Sequence, residues 1–178
     1  VGSDERIYQY RHVLATDKPL QCYLLLGPVV RRWGLTALVS RSMHFGEPPE
    51  DVKQAFHCVS TIEGRIMAML REGLPFAEIL VHQKQWYDEL GFPGGWNYHF
   101  QGGPTGYVLV DAARSLTGKV VQVPQTYSWF TTARGAKVEE LTLLTGNGVE
   151  IPSLGDHWPT VEVDTAAGPF EVPGMLIR

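Results

Sequence analysis

Apolar positions along the chain change period several times, and each change marks an element. Residues 22–30 are apolar and rich in β-formers, Trp33-Gly34 interrupts them, and residues 35–45 continue with Leu38, Val39 and Met43. This pattern predicts two strands joined by a short turn. Gly46 and Pro48-Pro49 close that hairpin, and Glu50-Asp51 place negative charge where a helix would begin. Val52, Ala55, Phe56, Val59, Ile62, Ile66 and Met69 then recur at three- and four-residue spacing, one face of a long amphipathic helix that Gly73 ends. A second helix is expected from about Pro75, with Phe76, Ile79, Leu80, Trp86 and Leu90 as its apolar positions and Gly91 at its C-terminus.

Beyond it the helical period is lost. Residues 92–106 are rich in glycine and proline and read as loop or strand edge. Strand-like stretches follow at 107–110, 120–123, 126–131 and 138–144. Arg134-Gly135 suits a hairpin turn, and Gly146-Asn147-Gly148 is a second turn signal, leading into 149–151. The tail, 156–178, carries three prolines and the alternating pair Val161 and Val163, and is expected to lie against the body as extended chain. A hairpin, two helices and then several antiparallel strands make an α+β domain with helices packed on one sheet face. Its expected division is a lead-in over 1–21, the main domain over 22–155, and the tail of that domain over 156–178.

Composition narrows the function. Apolar residues at 44% and charged ones at 19% suit a packed domain and not a disordered chain. A net charge of −4 with no basic run excludes a phosphate-binding face for nucleic acid. Cys22 and Cys58 show no CxxC or Cys/His spacing, which argues against structural zinc and for reduced core thiols. No apolar run is long enough for a bilayer, and residues 1–6 lack the features of a signal peptide, so the expectation is no membrane and a cytoplasmic location.

Two places could carry chemistry. His99 stands between Gly94-Gly95 and Gly102-Gly103, where glycines let the backbone approach another group closely, and an imidazole there can transfer protons near neutral pH. A histidine simply satisfied in the core fits the position as well. Glu139 and Glu140 are neighbours on an expected strand, so their side chains point to opposite faces. One would face solvent; the inward one, among Val138, Leu141 and Leu143, needs a cation, a histidine or a metal to offset its burial. Two solvated glutamates at a strand edge are the alternative. Asp111, after the apolar stretch 107–110, could face either way, and His12, His44, His57, His82 and His157 show no metal-ligand spacing and read as structural or exposed.

The order of these motifs resembles the pita-bread hydrolases: creatinase, aminopeptidase P, prolidase and methionine aminopeptidase. His99-Phe-Gln-Gly102-Gly103-Pro-Thr-Gly106 is similar to their His-x-x-Gly-His-x-x-Gly motif, and Gly135-Ala-Lys137-Val138-Glu139-Glu140 to their Gly-x-Arg-Ile-Glu-Asp strand. Ser40-Arg41-Ser42 stands in place of their Thr-Arg-Thr. The resemblance implies the pita-bread fold, two similar helix-and-strand halves around a pocket. Only about twenty residues precede Cys22, so the first helices of that fold are expected to be missing.

The departures from the family shape what the resemblance implies. Its two metal-binding hairpin aspartates fall at Gly27 and Leu38, neither of which can hold a metal. Its second motif histidine falls at Gly103, and its first metal-binding glutamate at or near Asp111. The site expected on this basis has His99 and Glu139 as catalytic residues, and Asp111, Gly102, Gly103 and Tyr107 toward the substrate. It takes a small molecule or a peptide and has no metal cofactor. The function implied is a metal-independent, creatinase-like relative of the Xaa-Pro peptidases, with His99 transferring protons. A noncatalytic binding or assembly module is the alternative, and a divalent-metal (Mn or Zn) Xaa-Pro peptidase a second one. Apolar surface where helices are missing would favour a homodimer.

Overall fold

In the computed structural model, residues 1–109 and 116–178 are described. Asp111 and Val110 lie outside them. The N-terminal segment holds β1 (Gly2–Ser3) and the short α1 (Glu5–Gln9). The expected hairpin is a long, bent one. β2 (Tyr23–Leu26) and β5 (Arg41–His44) pair at its base, while β3 (Val29–Arg32) and β4 (Leu35–Leu38) pair at its tip. Trp33 and Gly34 both have positive φ, 52° and 85°, the combination a two-residue turn needs to match strand twist. The base joins a four-stranded sheet in the order β1-β2-β5-β12, where β12 (Leu176–Ile177) runs parallel to β5.

The two helices form where expected, α2 (Glu50–Met69) and α3 (Phe76–Glu89), each entered through a proline at its N-cap position. A second antiparallel sheet runs β6-β7-β8-β9, from β6 (Gly102–Thr105) through β7 (Gln125–Ala133) and β8 (Ala136–Thr145) to β9 (Gly148–Glu150). The largest core cluster lies between this sheet and the helices, with Ile62, Ile66, Phe76, Ile79, Tyr87, Tyr127 and Trp129 at its centre.

Outside the site, the structure departs from the sequence reading in four places. The tail is a hairpin, β10 (Thr160–Thr165) and β11 (Gly168–Pro173), laid on the outer side of α2. Val163 and Val172 bury there against Gly64, where an added Cβ would come within 2.2 Å of Val163. Thus α2 is covered on two sides, which is why Ser60, Thr61 and Glu63, off its apolar stripe, are buried too. The 107–110 stretch is not strand where described, over 107–109. The chain folds back there, Gly106 N–H and the Thr105 hydroxyl both donating to the Val108 carbonyl, and leaves Tyr107 and Val108 exposed. Residues 120–123 form one isolated bridge, Val120 to Pro75, instead of a strand. Both cysteines are free, but only Cys58 is in the core; Cys22 is exposed at the edge of β2.

Candidate functional site

Residue alternation on the β7–β8 hairpin builds the site. Trp129, Thr131 and Glu140 turn toward α2 and α3, while Phe130, Lys137 and Glu139 turn to the opposite face, beneath the bent hairpin. The bend itself fixes Glu139. Ser40, in the break between β4 and β5, donates its N–H to the Glu139 carbonyl at 2.8 Å, and its hydroxyl accepts the Glu139 N–H at 2.7 Å. Glu139 Oε1 pairs with Lys137 Nζ at 2.6 Å, and both residues are buried.

Both adjacent glutamates are therefore inside, and the expectation that one would face solvent is corrected. Glu140 is fully buried, paired with Arg41 of β5 and accepting a 2.5 Å hydrogen bond from the Ser153 hydroxyl. Burial raises its carboxyl above the usual range, against the opposing pull of Arg41 and Ser153. Each face of the strand has its own cation, which is what lets two neighbouring carboxylates both leave water.

His99 reaches the same cleft from the loop before β6. Gly102 makes that approach possible. Its φ is 122°, and an added Cβ would meet the Ser128 carbonyl at 2.4 Å. The His99 ring stacks on Phe130 at 5.3 Å between centroids, and His12 from the N-terminal segment meets it edge-on at 5.0 Å. His99 Nδ1 lies 2.7 Å from the Phe100 carbonyl. A carbonyl only accepts, so Nδ1 carries the proton and Nε2 keeps its lone pair. Nε2 is buried with no hydrogen-bond partner among the described residues. Burial pushes the imidazole down to about 4, with Lys137, His12 and Arg11 adding repulsion and the Phe100 carbonyl opposing it. His99 is accordingly neutral near pH 7.

The cleft around these groups measures about 470 Å³, and its wall includes Arg11, His12, Gly27, Ser40, His99, Phe130, Lys137 and Glu139. Gly27 borders it directly, since an added Cβ would sit 3.4 Å from Glu139 Oε2. Leu38 is buried at the end of β4, across from Val29 of the cleft wall. Gly102 borders a neighbouring cavity, Gly103 packs under Leu116, and Tyr107 stands exposed beside Gly34. Sequence reasoning passed over Lys137, Phe130 and His12 as site residues. Lys137 was legible as the other half of an alternating Lys-x-Glu strand pattern; nothing in the pattern brings His12 to His99.

No protein-family model matches the sequence, and no curated protein does. Solved structures do match. Xaa-Pro dipeptidase from Bacillus anthracis superposes with a TM-score of 0.74 at 17% identity, over 98% of this chain and 46% of that one. The chain has the pita-bread fold. Prolidase from Pyrococcus furiosus (TM-score 0.72, 15% identity, 86% of this chain and 48% of that one) agrees. So does methionine aminopeptidase from Rickettsia prowazekii (0.61, 16%, 76% and 66%). The chain spans about half the length of the dipeptidase and the prolidase.

Within this pita-bread cleft the described residues do not fit a pair of divalent ions. Gly27 offers no side-chain donor, Phe130 is the residue across from Glu139, and Glu139 is already neutralised by an ammonium group. Among the described residues no three His, Cys, Asp or Glu side chains cluster as a metal site would require.

Proposed function

We propose that this chain is a pita-bread hydrolase-like protein whose cleft works without a bound metal ion, with His99 as the proton-transfer residue for a small-molecule or peptide substrate. The supporting observation is the His99 imidazole itself: neutral, its tautomer set by the Phe100 carbonyl, its bare Nε2 buried in the cleft. Such a nitrogen can take a proton from an attacking water and return it to a departing nitrogen, the two halves of cleaving a C–N or peptide bond. Lys137 and Glu139 supply a fixed dipole that can orient a polar substrate group beside it. Asp111 belongs to this reading as a further substrate contact.

The test is hydrolysis by chelator-treated protein of proline dipeptides and of amidino and N-methyl amino acids. We expect turnover unchanged by Mn or Zn and lowered about 10²–10⁴-fold in His99→Ala. Because His99 titrates near 4, the acid limb of the pH profile should lie there and not near 6.5. Activity that appears only with Mn or Zn would instead favour a metallopeptidase, as would an imidazole that titrates on metal removal.

One observation favours a second reading, a noncatalytic binding module. Glu139 is closed on Lys137, and Phe130 covers one face of the His99 ring, so among the described residues no free carboxylate beside His99 stands ready to activate water. Saturable binding without turnover in the same screen would select it. A cytoplasmic, homodimeric protein completes the proposal. No helix among the described residues is long and apolar enough to cross a membrane. The hairpin tip exposes Val29, Val30, Trp33 and Leu35, an apolar patch of the kind that self-association covers.

A further inference from the structure

A second cavity, about 500 Å³, opens on the other side of the His99 loop, between α3 and the helix-facing side of β7. Its volume falls in the range that holds small ligands, roughly 300–1,000 Å³. The wall is largely apolar and aromatic, with Phe76 and Leu80 of α3, Trp96 and Trp129 as its main surfaces. Its polar side chains include Gln83, Asn97, Gln101 and Thr117. Gln83 is buried and hydrogen-bonds Gln101 at 3.4 Å, and the Trp129 indole N–H is buried with no partner among the described residues. Among the described residues the single charged lining residue is Arg11. One guanidinium nitrogen of Arg11 donates to the Tyr98 carbonyl at 3.0 Å, and the side chain forms no ion pair among the described residues. Among the described residues no carboxylate lines the cavity.

We propose that this cavity binds a small aromatic carboxylic acid, the ring between Phe76, Leu80 and the two tryptophans and the carboxylate on Arg11. An apolar body suits the wall, and a unit negative charge suits the Arg11 guanidinium. The cavity lies apart from the Lys137–Glu139 face, but the His99–Phe100 loop and Arg11 belong to both walls. Occupancy therefore touches the segment that positions His99.

The experiment titrates the whole protein with 3-phenylpropanoate and, in parallel, with its uncharged amide, followed by tryptophan fluorescence and calorimetry. Ala77→Trp, at an exposed position of α3 on the cavity wall, should abolish binding by filling the mouth. Arg11→Gln, also exposed, should weaken the carboxylate about tenfold, which is about 1.4 kcal/mol. The amide should bind more weakly than the acid and be indifferent to Arg11→Gln. No saturable binding, binding untouched by Ala77→Trp, or equal affinity for acid and amide would each overturn the proposal.

Discussion

Glu139 and Glu140 are consecutive residues on one strand, both buried, both paired with a cation, and they serve opposite ends. Glu140 sits between sheet and helix, fully enclosed, and its partners come from distant parts of the chain: Arg41 from the hairpin and Ser153 from beyond β9. It ties three segments together. Glu139 sits on the cleft face, and its partner Lys137 is two residues away on the same strand. That pair joins nothing that the hairpin does not already join. Burial and an ion pair at both thus do not mean equal roles; what distinguishes the two is which segments the partner connects and whether the face opens to a cavity.

Substitutions should separate the two glutamates. Glu140→Ala leaves the half-buried Arg41 without its counter-charge, and we expect a loss of about 3–5 kcal/mol in denaturant unfolding. Glu139→Gln keeps the shape and leaves Lys137 on the wall of the cleft, so a smaller loss, about 1–2 kcal/mol, should accompany the loss of ligand binding or turnover. If the two losses were equal, the division of roles would be wrong.

Glu63 extends the Glu140 side. It is fully buried on α2, takes a hydrogen bond from the Thr131 hydroxyl, and leaves Oε1 with no partner among the described residues. Burial raises its carboxyl well above the ordinary value, with Glu140 and Glu139 adding to the shift and Thr131 opposing it. A raised folded-state value stabilises below the unfolded value of 4.5 and loses that contribution as pH climbs toward the folded one. Glu63→Gln, which copies the protonated form, should match the parent near pH 4 and become the more stable protein as pH rises. An unchanged difference from pH 4 to 8 would place an ionised carboxylate there instead.

The smallest effect is expected at Gly27. Its added Cβ would meet Glu139 Oε2 at 3.4 Å, so Gly27→Ala should alter unfolding by no more than about 0.5 kcal/mol while narrowing the cleft measurably for a bound ligand. A large stability change would mean that the hairpin bend itself requires the glycine.

Much of this fold was readable from periodicity. The α2 stripe from Val52 to Met69, the helix starts after Pro49 and Pro75, and the turns at Trp33-Gly34 and Arg134-Gly135 are local signals, and the chain obeys them locally. What resisted reading depends on distant contacts. Val163 and Val172 reveal a tail hairpin only because Gly64 leaves room on the back of α2. Glu140 is inside because Arg41 arrives from 99 residues away. The same holds for the site: motif order led to His99 and Glu139 in one cleft, but the Phe130 stack, the His12 contact and the Nδ1 hydrogen bond that sets the tautomer belong to tertiary structure.

The central claim, a cleft that works without metal, is most directly tested by calorimetric titration of chelator-treated protein with Zn²⁺ and Mn²⁺. The account predicts no stoichiometric tight binding, and no change of the weak background in the variant Glu139→Gln. One or two equivalents bound tightly, and lost in Glu139→Gln or His99→Ala, would contradict it and return the cleft to metal chemistry.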